Sequence, residues 1–260
     1  MDIGRFTIGI SGAGHSIAAL MLREMATVYG RSSIGYVWAL LEPALGIALL
    51  SAIFALAFNA PPLGVSFPLF YASGLLPLVL FLGVTQKTGQ SLRFSRALMR
   101  YPGVALMDAV AARLVLAMLT QIVVALIALG VLVGAADVDE LGLIRAYFGL
   151  LLLTSGVGVF NCWLGQLYPH WLRLWAVLSR PLFVLSGVFF LIDDVADPFR
   201  AWLMWNPMTH VIALLRAAIY PYYTAQLASA GYVAFIGALA LAIGLCGLAA
   251  KGKGLADAGG

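Results

Sequence analysis

The run IGYVWALLEPALGIALLSAIFALAF, residues 34–58, holds a single charge, Glu42. About 20 apolar residues in helical form suffice to cross the hydrocarbon of a bilayer. Lipid offers a backbone no hydrogen-bond partners, so only helices and closed barrels span it. Five further runs qualify, at 65–85, 104–133, 145–167, 170–192 and 228–250. Charged residues make up only 10% of the chain, against about 25% in soluble domains, so most of the surface faces something other than water. The expectation is an all-α integral membrane protein with six transmembrane helices. It forms one transmembrane domain over 1–260, with a cytoplasmic leader and interfacial helix at 1–33, the six-span bundle at 34–250 and a cytoplasmic tail at 251–260.

The loops alternate in charge. Arg5, Arg23 and Arg31 precede the first span, Lys87, Arg93, Arg96 and Arg100 follow the second, Arg173 follows the fourth, and Lys251 and Lys253 follow the sixth. The opposite side carries the uncharged NAPPLG and the acidic AADVDEL. Basic residues favour the cytoplasm, which places both termini there. The net charge of +4 reads as topology, because no basic soluble domain is present to bind nucleic acid.

The stretch GISGAGHS, residues 9–16, has the glycine spacing of a phosphate-binding P-loop with His15 in place of lysine. A P-loop joins a buried strand to a helix, and only eight residues precede Gly9. ATP binding by this chain is not expected, and the glycines read as a flexible leader. Ile17, Leu20, Met21, Met25 and Val28 then recur near helical spacing, with His15, Arg23, Glu24 and Thr27 on other faces. This is the pattern of a helix lying in the cytoplasmic interface; a plain solvated helix is the alternative.

Charge in hydrocarbon costs a few kcal/mol, so each instance needs a reason. Glu42 shares a helical face with Gly35, Trp38 and Gly46 and precedes Pro43, which is expected to kink the span. It either meets a neighbouring helix or lines a wet path. Arg180-Pro181, mid-way along the fifth span, must pair with an acid, bind an anion or sit in water; Glu42 is one possible partner. Asp108 and Arg113 lie about 140° apart on a helix and do not pair with each other; Asp108 is expected to snorkel. Thr154, Gly158, Asn161 and Gly165 form a stripe suited to close helix packing, or to a channel wall. Cys162 and Cys246 read as small buried hydrophobes.

Tyr29, Tyr36, Trp38, Phe70, Tyr71, Trp171 and Trp175 cluster near span ends. They suit an interfacial belt or stacking on sugar rings. In QKTGQSLRFSRALMRYPGV, Arg93, Arg96 and Arg100 share one helical face that suits a partner protein or anionic lipid heads. The segment PFRAWLMWNPMTHVIALLRAAIY, between the fifth and sixth spans, is too apolar for a loop and too interrupted to span. It reads as a pair of short re-entrant helices. An intramembrane serine protease is not supported: ASG, TSG and LSG lack a glycine two places before the serine, and His15, His170 and His210 sit at edges or in loops.

The first-span stretch RSSIGYVWALLEPALGIALL, through Arg31, Gly35, Tyr36, Trp38, Glu42 and Pro43, resembles the signature of type-2 ABC exporter permeases for bacterial polysaccharides. WNPMTHVIALLRAAIY, with Asn206, Pro207 and Arg216, resembles their stretch before the last span. The similarity covers nearly the whole chain and is strongest to the KpsM-like capsular polysaccharide export permeases; O-antigen and teichoic-acid permeases are near relatives. The resemblance implies a permease rather than an enzyme, with no cofactor on this chain. ATP and Mg would sit on a separate ABC ATPase subunit, and two copies of the permease would form one channel for a lipid-linked, usually acidic polysaccharide. Periplasmic and outer-membrane export proteins are further implied partners, and the bacterial inner membrane is the implied location. Candidate channel residues are Arg31, Tyr36, Trp38, Glu42, Tyr71, Trp175, Arg180 and Arg216. Candidate ATPase-coupling residues are Arg23, Glu24, Arg93, Arg96, Arg100 and Tyr101, in docking elements near 15–30 and 87–102. The same fold carrying small molecules or lipid is the rival reading.

Overall fold

The computed structural model describes residues 10–25, 34–95, 106–134 and 137–257. Among them every regular element is helical and no strand occurs, so nothing there supplies the buried strand a P-loop requires. Five helices are long and apolar enough to cross a membrane: α2 (Ile34–Ala57), α3 (Phe67–Gly89), α5 (Leu106–Val133), α6 (Glu140–Leu167) and α11 (Ala230–Asp257). Ahead of them lies α1 (Ile10–Glu24), and α4 (Ser91–Phe94) follows α3.

Capping sets several boundaries. The Ser66 hydroxyl accepts from the Leu69 amide and starts α3 with Pro68 in its first turn. Asp139 accepts from the Gly142 amide at 3.0 Å. It satisfies one of the open amides of a helix start, so α6 begins inside the acidic stretch, five residues before the run predicted at 145. At the other end of the chain α11 continues through Lys251 and Lys253 to Asp257, where the sequence suggested a tail.

The predicted fifth span is not one helix. It consists of α7 (Trp171–Leu178), a turn at 179–181, and α8 (Leu182–Leu185), followed by bends at 187–190. Pro181 has no amide to donate and its ring crowds the preceding turn. Gly187 then adopts φ +76°, a conformation that costs glycine nothing. At 1.5 Å per residue α7 covers only about 12 Å. A 3-10 turn at Ile192–Asp194, α9 (Phe199–Leu203) and α10 (Pro207–Ile219) lead to α11. Asn206 caps α10, accepting from the Met208 amide at 3.0 Å.

α3 is the hub. Two-thirds of its most apolar stretch is buried, against 17% for α2, because α2, α5, α6, α7 and α10 all pack on it. Phe70, Tyr71, Leu78, Leu80 and Val84 are the largest of its fully buried side chains. On α6 the small-polar stripe does pack: Gly158 faces Thr88, Gly165 faces Leu172, and the Asn161 side-chain oxygen accepts from the Trp171 indole at 2.9 Å. The opposite side of α6 meets α11 through Gly156, Gly237 and Gly244.

Other expectations change. Helix α1 begins at Ile10, so Gly12 and Gly14 lie within it rather than in a leader. Its packed face is Ile17, Leu20, Met21 and Glu24, while Met25 is exposed; Thr27 and Val28 lie outside the described residues. Cys162 is buried as expected, but Cys246 faces outward from α11. Asp108 is buried among protein groups instead of snorkelling. His210 sits inside α10, buried. Its Nδ1 accepts from the Ser229 amide at 3.1 Å. That leaves the proton on Nε2, which donates to the Met204 carbonyl at 2.8 Å.

Candidate functional site

Three helices converge at the end of the bundle where α3 stops. Glu24, the last residue of α1, lies 3.3 Å from Arg113 of α5. This contact is an ion pair without hydrogen-bond alignment. The same guanidinium stacks 4.0 Å over the ring of Phe94 in α4. Arg113 is buried, where a cation without compensation would be costly; a carboxylate and an aromatic face together supply that compensation. Two predicted docking elements, α1 and α4, are thus tied to one span. Arg93, exposed beside Phe94, donates from Nη2 to the Pro169 carbonyl at 2.8 Å and joins this end to the α6–α7 turn. Glu24→Ala is expected to loosen α1: a cysteine placed at Leu20, on the packed face, should react with a water-soluble thiol reagent several-fold faster than in the Glu24 parent. An unchanged rate would show that apolar packing alone holds α1.

The second assembly lies around the break in the fifth segment. Arg216 of α10 is 2% exposed, yet no carboxylate among the described residues forms an ion pair with it. Its Nη1 donates to the carbonyls of Gly187 at 2.7 Å and Phe190 at 2.8 Å, and its Nη2 to that of Val188 at 2.9 Å. Its Nε reaches the Ser73 hydroxyl at 3.4 Å, and its carbon centre lies 4.1 Å over the Phe70 ring. The bends at 187–190 release backbone carbonyls from helical pairing, and a buried carbonyl needs a donor. Arg216 is that donor, with a planar fork suited to several acceptors. Gly74 makes room: a Cβ there would lie 3.1 Å from the Val188 Cα and 3.3 Å from Nη2.

Beside this brace stands an aromatic group. Phe54 of α2 packs on Tyr71 at 5.1 Å and on Phe189 at 5.8 Å between ring centres; Phe183 meets Phe189 edge-on at 5.1 Å. Tyr71 is fully buried and its hydroxyl has no hydrogen-bond partner among the described residues. Nearby, Tyr223 donates its phenol hydrogen to Asp193. Burial first, then that carboxylate, push its pKa above the ordinary value.

The remaining candidates are dispersed. Trp38 is 57% exposed on α2, with Glu42 exposed beside it. Trp175 meets Phe81 edge-on at 6.4 Å. Arg180, in the turn before α8, is exposed and does not pair with Glu42 within this chain. Arg23 is exposed on α1, and Tyr36 lies in the first turn of α2. Arg31, Arg96, Arg100 and Tyr101 fall outside the described residues. The sequence reading missed Phe54, Phe94, Phe189 and the carbonyls that Arg216 holds. Phe54 and Phe58, four residues apart on one helix face, were the available signal for the aromatic group.

An apolar groove of about 490 Å³ lies between the facing ends of α5 and α6, where Tyr147 is its main polar group. With no charged side chain in its lining it offers an anionic cargo nothing. No group of three or more His, Cys, Asp or Glu is arranged to hold a metal ion among the described residues.

Apolar spanning helices, a helix clamped ahead of the first of them and a broken segment before the last are the frame of an α-helical membrane protein. The chain belongs to the ABC-2 type transporter family, whose model matches residues 15–220. It is 29% identical over 234 residues to the polysialic acid transport protein KpsM of Escherichia coli, covering 88% of this chain and 91% of that one. It is 25% identical over 247 residues to the capsule polysaccharide export inner-membrane protein CtrC of Neisseria meningitidis serogroup A, covering 92% of each. The capsule polysaccharide export inner-membrane protein BexB of Haemophilus influenzae is 24% identical over 221 residues, covering 83% of each.

Proposed function

We propose that this chain is the permease subunit of an ATP-driven exporter that moves a lipid-linked, acidic capsular polysaccharide across the bacterial inner membrane. The observation that carries the reading is the match, over nearly the full length of each partner, to relatives named for polysialic acid transport and capsule polysaccharide export. The aromatic group of Phe54, Tyr71, Phe183 and Phe189 supports it, since aromatic faces pack on the apolar faces of sugar rings. Two copies would enclose the conduit, with Arg31, Tyr36, Trp38 and Trp175 as candidates for its wall and Glu42 and Arg180 at its edges where the copies meet; Tyr71, fully buried in one copy, would support the wall from behind. Arg216 would act on that wall indirectly, by holding residues 187–190 in place. A separate ABC ATPase would bind ATP and Mg. It would dock on α1 and on the segment from α4 to residue 102, so that its closure pulls on α5 through Glu24, Phe94 and Arg113. Both termini would face the cytoplasm. α9 and α10 would form the re-entrant pair near the exit, and the exposed Phe199 and Trp202 of α9 would suit the bilayer interface. Periplasmic and outer-membrane export proteins would take the glycan onward.

Deleting the gene and assaying glycan in fractionated cells tests the cargo. The expected result is a bare surface with polysaccharide retained inside, reversed by the plasmid-borne gene. Normal surface glycan in the deletion strain would overturn the capsule reading and turn attention to small-molecule or lipid cargo.

A further inference from the structure

Two charges set in apolar stretches, Glu42 on α2 and Arg180 between α7 and α8, are exposed on the single chain, and neither pairs with the other there. A charge facing hydrocarbon costs a few kcal/mol, so two such charges on one chain need compensation from outside it. Each lies in an apolar surface: Glu42 beside Val37, Trp38, Leu41 and Leu45, and Arg180 near Val177 and Val184.

Their depths match. Helices α2 and α3 run antiparallel, and the Arg93–Pro169 hydrogen bond places the start of α7 at the end of the bundle where α3 stops. Gly46 of α2 sits against Leu75 of α3, and Trp175 of α7 sits against Phe81 of α3. Counting from these two contacts at 1.5 Å per residue, Glu42 and Arg180 lie within about 5 Å of one level, a gap that an arginine side chain spans. A surface with an acid on one helix and a base at equal depth on another is self-complementary. A two-fold axis brings each charge to its opposite on the second copy.

We propose that Glu42 of one copy pairs with Arg180 of a second copy, and Arg180 with the second copy's Glu42, so that two reciprocal ion pairs join the copies within the membrane. The inference rests on the reading of the transporter as a pair of permeases. It adds that each copy completes a charge site the other leaves open, with α2 and the α7–α8 break as the contacting elements. The rest of the contact is apolar, from residues such as Leu45 and Val177.

The pairing is tested by charge reversal in full-length chains. Glu42→Arg alone and Arg180→Glu alone should each lower surface glycan at least tenfold, because each sets like charges against one another. Co-expressing the two single-reversal chains should restore export to roughly half, the share of mixed pairs in a random population. In a mixed pair both contacts are again between opposite charges. One chain bearing both reversals should also restore export. Restoration by that double chain but not by co-expression would mean the charges pair within a chain and would overturn the proposal. Restoration by neither would overturn it too, assigning the two residues separate contacts with cargo or water. A second measurement does not depend on what is exported. Two differently tagged chains, both Cys246→Ser, carry Glu42→Cys in one and Arg180→Cys in the other, and mild oxidation in membranes should yield a product bearing both tags. If that product forms while glycan export is normal in the deletion strain, the pairing stands and the cargo reading falls. If it is absent while wild-type export is intact, the pairing falls alone. Membrane abundance of each chain, by immunoblot, separates loss of activity from loss of protein. Single-reversal chains that vanish alone but accumulate together support the pairing, and chains that vanish in both settings overturn it.

Discussion

Arg216→Met should remove most of the folded protein. The substitution keeps an unbranched apolar stem but leaves the carbonyls of Gly187, Val188 and Phe190 without their donor. Each orphaned buried group costs about 1–3 kcal/mol. Three together approach the whole net stability of about 5–15 kcal/mol typical of a folded protein. Arg216→Lys is expected to rescue only part of this. An ammonium is compact, and it cannot reproduce a planar fork that serves three acceptors while stacking on Phe70. The measurement is the yield of monodisperse protein after detergent extraction, with its thermal midpoint. An Arg216→Met chain that matched the parent in both would show that residues 187–190 are held by other contacts.

The second large effect is expected at the seam between α6 and α11. A Cβ on Gly237 would lie 2.8 Å from the Leu153 amide nitrogen, one on Gly244 would lie 2.7 Å from that of Phe160, and one on Gly156 would run into the Gly237 carbonyl. These are backbone contacts, so no side chain can rotate to relieve them. Small residues at membrane-helix interfaces admit this close approach, and dispersion between the backbones then holds the helices together. Gly156→Val or Gly237→Val should force the helices apart and lower the thermal midpoint sharply, at a cost of about 1–3 kcal/mol or more. Gly130→Val, at a position where an added Cβ meets nothing within 4 Å, is the control and should change little. Equal behaviour of the three variants would refute the close-packed seam.

Much of this architecture is legible in the sequence because hydrocarbon is an unforgiving solvent. Runs such as 34–58 and 228–250 need only length and apolarity to declare themselves, and α2 and α11 cover both. The fifth run fails that logic. Residues 170–192 are as apolar as a span, but hydropathy is blind to how Pro181 and Gly187 divide them, and to a distant Arg216 that makes the break affordable. The site residues divide similarly. Glu42 and Arg180 stood out as charges in apolar surroundings, and they lie exposed on the single chain. By spacing Glu24 falls outside the apolar set of its helix. It meets Arg113, which also stacks on Phe94 of α4, and no periodicity within α1 reveals a partner eighty-nine positions away. Arg216 entered as a candidate channel residue through the resemblance of its stretch; in the structure it is buried instead as a donor. Its partners are backbone carbonyls, which carry no mark in a sequence.

The clamp between Glu24 and Arg113 also orders events in time. The two residues are separated by eighty-nine positions along the chain. At synthesis rates of about 5–20 residues per second, Arg113 follows Glu24 out of the ribosome by roughly 5–20 s. For that interval α1 exists without the α5 surface that holds it, while α2 and α3 are already made. Helix α1, though made before α2, α3 and α5, is therefore among the later of the described helices to reach its final position, and a nascent chain carries it unanchored until the third long span has arrived.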